Sequence, residues 1–406
     1  MNNHKIAVVG AGFSGLLTAY ELQKQGAEVT VYEQDDRPGG QCFTLNAAGS
    51  RIEMGCVFGT SEAFQNLCDE LQINTRREYF YRQYIDSQGQ KIPLLDDSSI
   101  AEFKEQYQRL PSVLSEYRDC LNTPGFHTIP DDLKTDFTSW CRLKNLASLI
   151  PVYSAFFSCY GYGELDTIPA VYVLKHLDLE SLGYLVESRK VLTFSDGSSS
   201  LCNALARELK DIRYGNKISQ LIPRENHVAL ETAFGTDEIS KVILTAPMPG
   251  KAVAQQFFSM FLDSIQLNTA NTFVYRISDR GLTDSFFMEN RGLEGSIRLI
   301  HINTSFLKDN QIVTVYSNGS YTPIELNSIL MKQLEKLKIK SPRLIANKSW
   351  RFFPHLPSDS LQSGLYEELY NRQGEDGIFI GPGLSCCASL DKITDYSDYF
   401  LKTWFR

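Results

Sequence analysis

Near the N-terminus, two short apolar runs flank an apolar helical pattern. Ile6 to Val9 and Val29 to Glu33 have the length and β-branched content of buried parallel strands, and Ser14 to Gln25 has the helical pattern. The turn between the first strand and the helix reads Gly10-Ala-Gly12-Phe13-Ser14-Gly15. Gly10 permits a tight turn, Gly12 lets a pyrophosphate approach the backbone, and Gly15 lets helix and strand pack closely. The helix N-terminus then offers free N–H groups and its positive dipole end to that pyrophosphate. Glu33 ends the second strand at the sheet surface, where a carboxylate accepts both ribose hydroxyls and repels a 2′-phosphate. The expected ligand is a dinucleotide with an unphosphorylated adenosine ribose.

The later pattern alternates between helical and extended stretches. An amphipathic helix is predicted from Ser61 to Ile73, then a hairpin over 78–95 that turns at Asp86 to Gln90. From Ser98 to about Ile150 the pattern is helical, broken at Pro111 and in the loop 122–132, with another helix starting at Phe137. The chain then predicts a helix over 201–209 and a short strand at Ile212. A hairpin of Gly215 to Leu221 with Val228 to Thr232 follows, and then a buried strand from Lys241. Further strands fit Thr272 to Ile277, Ser296 to Ile302 and Gln311 to Tyr316, with a helix over Ile324 to Leu337. The segment from Asn347 runs through loop and helix to a strand at Gly377 to Ile380, and a C-terminal helix covers Ser389 to Lys402.

Two further motifs follow the acid. Gly39-Gly40-Gln41 comes after Arg37-Pro38, and Arg51-Ile-Glu53-Met-Gly55-Cys56-Val57-Phe58-Gly59 comes after that. Here the chain resembles the two-dinucleotide-binding-domain flavoproteins of the amine oxidase superfamily. It departs from their commonest pattern at Gln41, where many carry Arg, and at Glu53, where many carry Asp. The resemblance implies an α/β fold with a Rossmann-like FAD-binding domain, a parallel sheet with a β-meander, formed by residues 1–77, 186–250 and 345–406. An α+β substrate domain with an antiparallel sheet, residues 78–185 and 251–344, is inserted discontinuously. It implies FAD contacts at Gly10, Gly12, Phe13, Ser14, Gly15, Glu33, Gln34, Gly39, Gly40, Gln41, Gly55, Cys56, Val57 and Phe58. Ile218 would bracket the adenine, and Gly381, Ser389 and Leu390 would bring a helix N-terminus to the pyrimidine end of the flavin. Non-covalent attachment is expected, because the family's linking cysteine precedes the last strand and no cysteine lies between Trp350 and Ile380.

A flavin carries the redox chemistry and the protein supplies orientation and water exclusion, so an aromatic lining with few polar groups is expected. Two stretches qualify: Phe156-Phe157-Ser-Cys-Tyr160-Gly161-Tyr162-Gly163-Glu164 with Ile168-Pro-Ala-Val-Tyr172, and Trp350-Arg351-Phe352-Phe353-Pro354-His355. They are similar to the branch that holds the bacterial polyenoic fatty acid isomerase. That implies removal of a hydride from an allylic carbon of a polyunsaturated acid and its return elsewhere. Phe157, Tyr160, Tyr162, Tyr172, Trp350 and Phe353 are expected to line one pocket at the flavin. No catalytic residue is assigned; Tyr160, Tyr162, Arg351 and Phe353 are candidates. Arg351 reads equally as a carboxylate clamp or a solvated loop arginine. His355 reads as a proton shuttle or a hydrogen-bonded structural histidine, and Glu164 as an amine anchor or a rim charge.

The functional expectation is an FAD-dependent oxidoreductase moving a hydride between a substrate carbon and flavin N5, as an isomerase or desaturase of an unsaturated or lipid-like acid. An oxygen-using amine or amino acid oxidase is the second reading, disfavoured because Thr272 to Ile277 has no lysine. A non-catalytic flavoprotein partner in a biosynthetic pathway is the third. Composition narrows the setting. The 406 residues carry a net charge of −8, without the basic face that nucleic acid needs. The longest apolar run, about 146–160, is too short and too interrupted to span a bilayer. Nine irregularly spaced cysteines and an opening without a signal peptide suggest a cytoplasmic protein, with Cys386-Cys387 the one pair open to a redox reading. The histidines show no metal-ligand spacing. The expected partner is a small-molecule substrate, with the oligomeric state open.

Overall fold

The computed structural model describes residues 5–79, 82–187, 189–278, 282–303 and 310–405. Lys5–Val9 is the central strand of a five-stranded parallel sheet, in the order Ile212–Arg213, Glu28–Tyr32, Lys5–Val9, Lys241–Leu244, Ile378–Ile380. Its alternate residues enter different cores, as a strand's period of two requires. Ile6 and Val8 pack with the helices Phe13–Lys24 and Leu390–Trp404. Ala7 and Val9 pack with Leu221, Val228, Leu230 and Ile239 of a three-stranded antiparallel meander on the other face. Burial on both faces explains the unbroken apolar runs.

A second sheet, mostly antiparallel and seven-stranded, runs Arg343–His355, Gln266–Ile277, Gln311–Asn318, Leu299–Asn303, Asp284–Phe287, Arg82–Ile85, Lys91–Ile92. Asp284–Phe287 and Arg82–Ile85 pair in parallel. One face packs on the helix Pro323–Lys336 through Leu326, Leu330 and Leu334. That helix starts with a reciprocal Thr322–Glu325 capping box. The other face sends Phe286, Leu299 and Tyr316 into the core built by the helical stretch 97–186.

The structure corrects several expectations. The helix Asp97–Leu114 continues through Pro111 instead of breaking there. Proline removes one N–H bond, but Leu110 and Leu114 on either side of it are buried, and that packing holds the last turn. Thr75–Glu78 pairs with Val191–Phe194, a strand not anticipated, so the hairpin itself is Arg82–Ile85 with Lys91–Ile92. Phe80 and Tyr81 of that expected hairpin, and His4, lie outside the described residues. Residues 343–355, expected to lead into a loop, form the longest strand of the second sheet among the described residues. Helices at Ala170–His176, Leu179–Val186 and Gln256–Ser264 were not legible from spacing.

The packing around the first turn is backbone on backbone. Gly10 has φ +104°, and a Cβ on Gly15 would stand 1.9 Å from the Gly10 carbonyl oxygen. Gly15→Ala is therefore expected to destabilise the fold by about 1–3 kcal/mol, the cost of forced overpacking. A lowered urea midpoint in circular dichroism is the result expected; an unchanged midpoint would show that strand and helix separate freely.

Candidate active site

The first turn is shaped for an external acceptor. The helix Phe13–Lys24 has Gly12 at its N-cap, no side-chain cap and no acid in its first turn. The helices starting after Ser61, Asp96, Asp136, Asp178 and Ser389 are each capped by that residue's own side chain. A Cβ on Gly12 would meet nothing nearer than the Gly40 Cα at 4.0 Å, so no protein contact demands glycine there. Uncapped N–H groups with open space before them fit a pyrophosphate.

Glu33 sits deeper than a residue at the sheet surface. It is 8% exposed, with Oε2 accepting from the Ala11 N–H at 2.6 Å and Oε1 from the Asp35 N–H at 2.8 Å. Each ionised oxygen can accept a further bond, so the carboxylate braces the turn and keeps capacity for ribose hydroxyls. Gln34, next in sequence, is exposed.

Three more segments close on this turn. The Gly39 N–H donates to Ala11 O at 2.7 Å, and a Cβ on Gly40 would be 3.2 Å from the Gly12 Cα. The Cys56 N–H donates to Gln41 O at 3.0 Å, and a Cβ on Gly55 would lie 2.2 Å from that oxygen. Ser14 Oγ donates to Pro382 O, which brings the last turn, beginning at Gly381, onto the first helix. Cys56, Val57 and Phe58 are half-buried, and Ile218 opens the meander with its side chain in the core. Ser389 caps the C-terminal helix, whose first residue, Leu390, is buried. Asp391 in its first turn accepts from the Thr60 and Ser61 N–H groups at 3.0 and 2.9 Å. Glu53 accepts from the Ser198 N–H at 2.9 Å and from Thr44 Oγ1 at 3.1 Å, tying the 44–53 hairpin to residue 198; burial raises its pKa against the lowering by these bonds.

The expected aromatic pocket is divided. Phe157, Tyr162, Tyr172 and Phe353 do come together: Phe353 lies 5.4 Å from Phe157, 5.2 Å from Tyr162 and 6.0 Å from Tyr172, centroid to centroid. Phe353 has φ +55°, a left-handed conformation rare for a bulky residue, next to a register shift in its strand. The bulge turns its ring into this cluster. Tyr172 is a core residue, its hydroxyl accepting from the Leu356 N–H at 2.7 Å and 3.1 Å from the Tyr366 hydroxyl. Tyr160 packs instead on Phe58 at 6.4 Å and Phe286 at 5.8 Å.

Trp350 belongs to neither group. It packs against Phe43 at 6.4 Å and donates from Nε1 to Met54 O at 2.6 Å, next to the Gly55 segment. The register shift beyond Phe352 lets both Phe352 and Phe353 reach the cluster, while Trp350, before it, faces Phe43 and Met54. Arg351 is exposed on the same strand, so the clamp reading is corrected to a surface arginine. His355 is buried, with Nδ1 2.9 Å from Phe353 O, and burial pushes its pKa down against that bond's raising effect. Glu164 is held by Arg298 at 2.6 Å and by the Gly292 N–H at 3.2 Å, which removes it as a free amine anchor. Cys386 and Cys387 are both free and buried.

Sequence reasoning missed Phe286, Tyr316, Arg298 and His176. The first three reach the site from the second sheet, and His176 ends a helix that no spacing announced.

Residues 13–261 match the family described as flavin containing amine oxidoreductase. The chain belongs to this family. Curated relatives include the putative flavin-containing monoamine oxidase AofH of Mycobacterium tuberculosis, 47% identical over 17% of this chain and 16% of that protein. The FAD-dependent oxidoreductase dpchF of Colletotrichum higginsianum is 27% identical over 50% of this chain and 45% of that protein. The chain thus aligns with less than half the length of these relatives. Among solved structures, a CLA-producing fatty acid isomerase from P. acnes superposes with a TM-score of 0.93, 21% identity and complete coverage of both chains. Putrescine oxidase superposes with a TM-score of 0.73, 17% identity and 98% coverage of both. At these identities the likeness is one of fold. The cofactor is FAD, the flavin form whose adenosine and pyrophosphate the Gly10–Glu33 turn suits. No helix among the described residues is long and apolar enough to cross a membrane.

Glu33→Ala is expected to weaken FAD by about 1.5–3 kcal/mol, the worth of hydrogen bonds to a charged group. Glu33→Gln, which can still brace the Ala11 N–H, should lose less. Equal FAD affinity in all three proteins, measured by fluorescence on reconstitution, would show that Glu33 does not contact the ribose. Acid denaturation should also release all the FAD; flavin retained on the polypeptide would reveal a covalent link.

Proposed function

We propose that this protein is an FAD-dependent oxidoreductase that moves a hydride on an unsaturated or lipid-like organic acid, as an isomerase or desaturase does. Bound FAD supplies a two-electron acceptor at N5. The uncapped first helix and Glu33 hold its adenosine end, and the loop 39–41 and segment 55–58 hold its course across the sheet. The aromatic walls around Tyr160 and Tyr162 exclude water and orient an apolar chain. The division expected from the sequence puts residues 345–355 in the FAD-binding domain, but Arg343–His355 is a strand of the seven-stranded sheet, so the second aromatic stretch goes with the substrate side.

The observation that carries this reading is the engagement of Glu164 with Arg298, fully buried at 2% exposure. The one carboxylate in the Tyr160–Glu164 loop is already neutralised, which weakens the case for a cationic amine. The strand Gln266–Ile277 also carries no lysine among its residues. Oxidation of an amine is the second reading, favoured by the family as a whole.

Anaerobic titration of the holoprotein with linoleic acid separates them. Bleaching of the oxidised flavin band that recovers without oxygen is expected; bleaching by amines and not by acids would overturn the proposal. Tyr160→Ala should slow bleaching roughly tenfold, about 1.4 kcal/mol in barrier, with FAD content nearly unchanged.

A further inference from the structure

The fold leaves two polar groups of the aromatic wall unused. Tyr162 and His176 lie ring against ring, centroids 4.1 Å apart, framed by Phe157, Phe352 and Phe353. His176 Nδ1 is sealed from water and has no hydrogen-bond partner. Among the described residues no protein group bonds the Tyr162 hydroxyl or His176 Nε2 either, and neither atom is sealed. Both side chains keep some open surface, yet burial raises the pKa of Tyr162 and pushes that of His176 down to about 3. The unbonded Tyr162 hydroxyl and His176 Nε2 thus leave a ligand atom two polar groups to meet.

The pair's chain neighbours reach the cofactor side of the molecule. Tyr160, two residues before Tyr162, packs on Phe58 at 6.4 Å, and Asp178, two residues after His176, pairs with Lys392 in the first turn of the C-terminal helix. Three carboxylates of this region are engaged: Glu164 with Arg298, Asp178 with Lys392, Asp391 with the Thr60 and Ser61 N–H groups.

We infer that Tyr162 and His176 form a specificity pair that receives an oxygen function of the substrate, a carbonyl, hydroxyl or carboxyl group, and rejects an ammonium group. A phenol and an imidazole protonated on Nε2 can both donate to one ligand oxygen. Buried donors without partners are costly, and a ligand oxygen that pairs them recovers that cost. Burial, the first cause that keeps His176 uncharged, penalises a ligand cation in the same way. The aromatic rings offer cation–π attraction to an ammonium, which is the competing force. This inference rests on the proposed placement of FAD beside the cavity, but not on which acid, if any, is turned over.

The test is equilibrium binding to the oxidised FAD-loaded protein at pH 7, read from perturbation of the flavin absorbance by 2-decanone, decanoate and decylamine. The ketone is expected to bind about tenfold or more tighter than the amine, and the carboxylate, which pays desolvation but accepts from both donors, more tightly than the amine by a smaller factor. Tyr162→Phe, which removes one oxygen atom, and His176→Gln should each weaken the two oxygen ligands by about 3- to 10-fold and leave decylamine unchanged. An unaltered FAD content and oxidised spectrum certify each variant as folded. Decylamine binding as tightly as the ketone would overturn the inference, as would a Tyr162→Phe protein whose three affinities all shift equally or not at all. If no acid bleaches the flavin anaerobically, the proposed reaction fails while the binding preference is still decided here.

Discussion

Backbone has to touch backbone at the C-terminal edge of the parallel sheet, and much of the structure follows from that constraint. A Cβ on Gly15 would collide with the Gly10 carbonyl, and one on Gly55 with the Gln41 carbonyl. Gly12 and Gly40 face each other with no side chain between them. Four chain segments far apart in sequence thus converge on one turn without side chains filling the gap. What remains is a row of N–H groups and a braced carboxylate, a surface that suits a pyrophosphate and a ribose.

The opposite policy governs the substrate side. There the backbone is held apart by rings: Phe157, Tyr162, Phe352 and Phe353 contact each other at 5.2–6.5 Å. Phe353 occupies this cluster only because its strand tolerates a left-handed residue at a bulge, a conformation that costs of order 1–3 kcal/mol. The surrounding aromatic contacts and the bond between His355 and Phe353 O hold it there. Strain at this place, in one of two irregular points of the strand's pairing, marks the ring as positioned and not incidental.

Charge is handled conservatively throughout this region. Arg298 meets Glu164, Lys392 meets Asp178, and Asp391 meets backbone donors from the neighbouring strand and helix cap. Pairing of this kind leaves hydroxyl and imidazole groups, not ions, to meet a ligand.

The sequence by itself determined the strand–turn–helix–strand unit at the N-terminus, because consecutive glycines and unbroken apolar runs are local signals with local causes. The last strand and the C-terminal helix were legible for the same reason, whereas the meander and the gathering of Phe157, Tyr162, Tyr172 and Phe353 were expected from the family resemblance and not from a local signal. Tertiary structure alone decided that Trp350 and Arg351 leave that cluster, because a bulge just beyond Phe352 resets which residues face inward and residues 343–355 gave no clear strand pattern. It alone turned Glu164 towards Arg298, a partner 134 positions away in the chain that just precedes the strand Leu299–Asn303. His176 and Phe286 entered the wall for the same reason. A pocket wall is a property of packed surfaces, and spacing along one segment carries no information about what another segment brings to meet it.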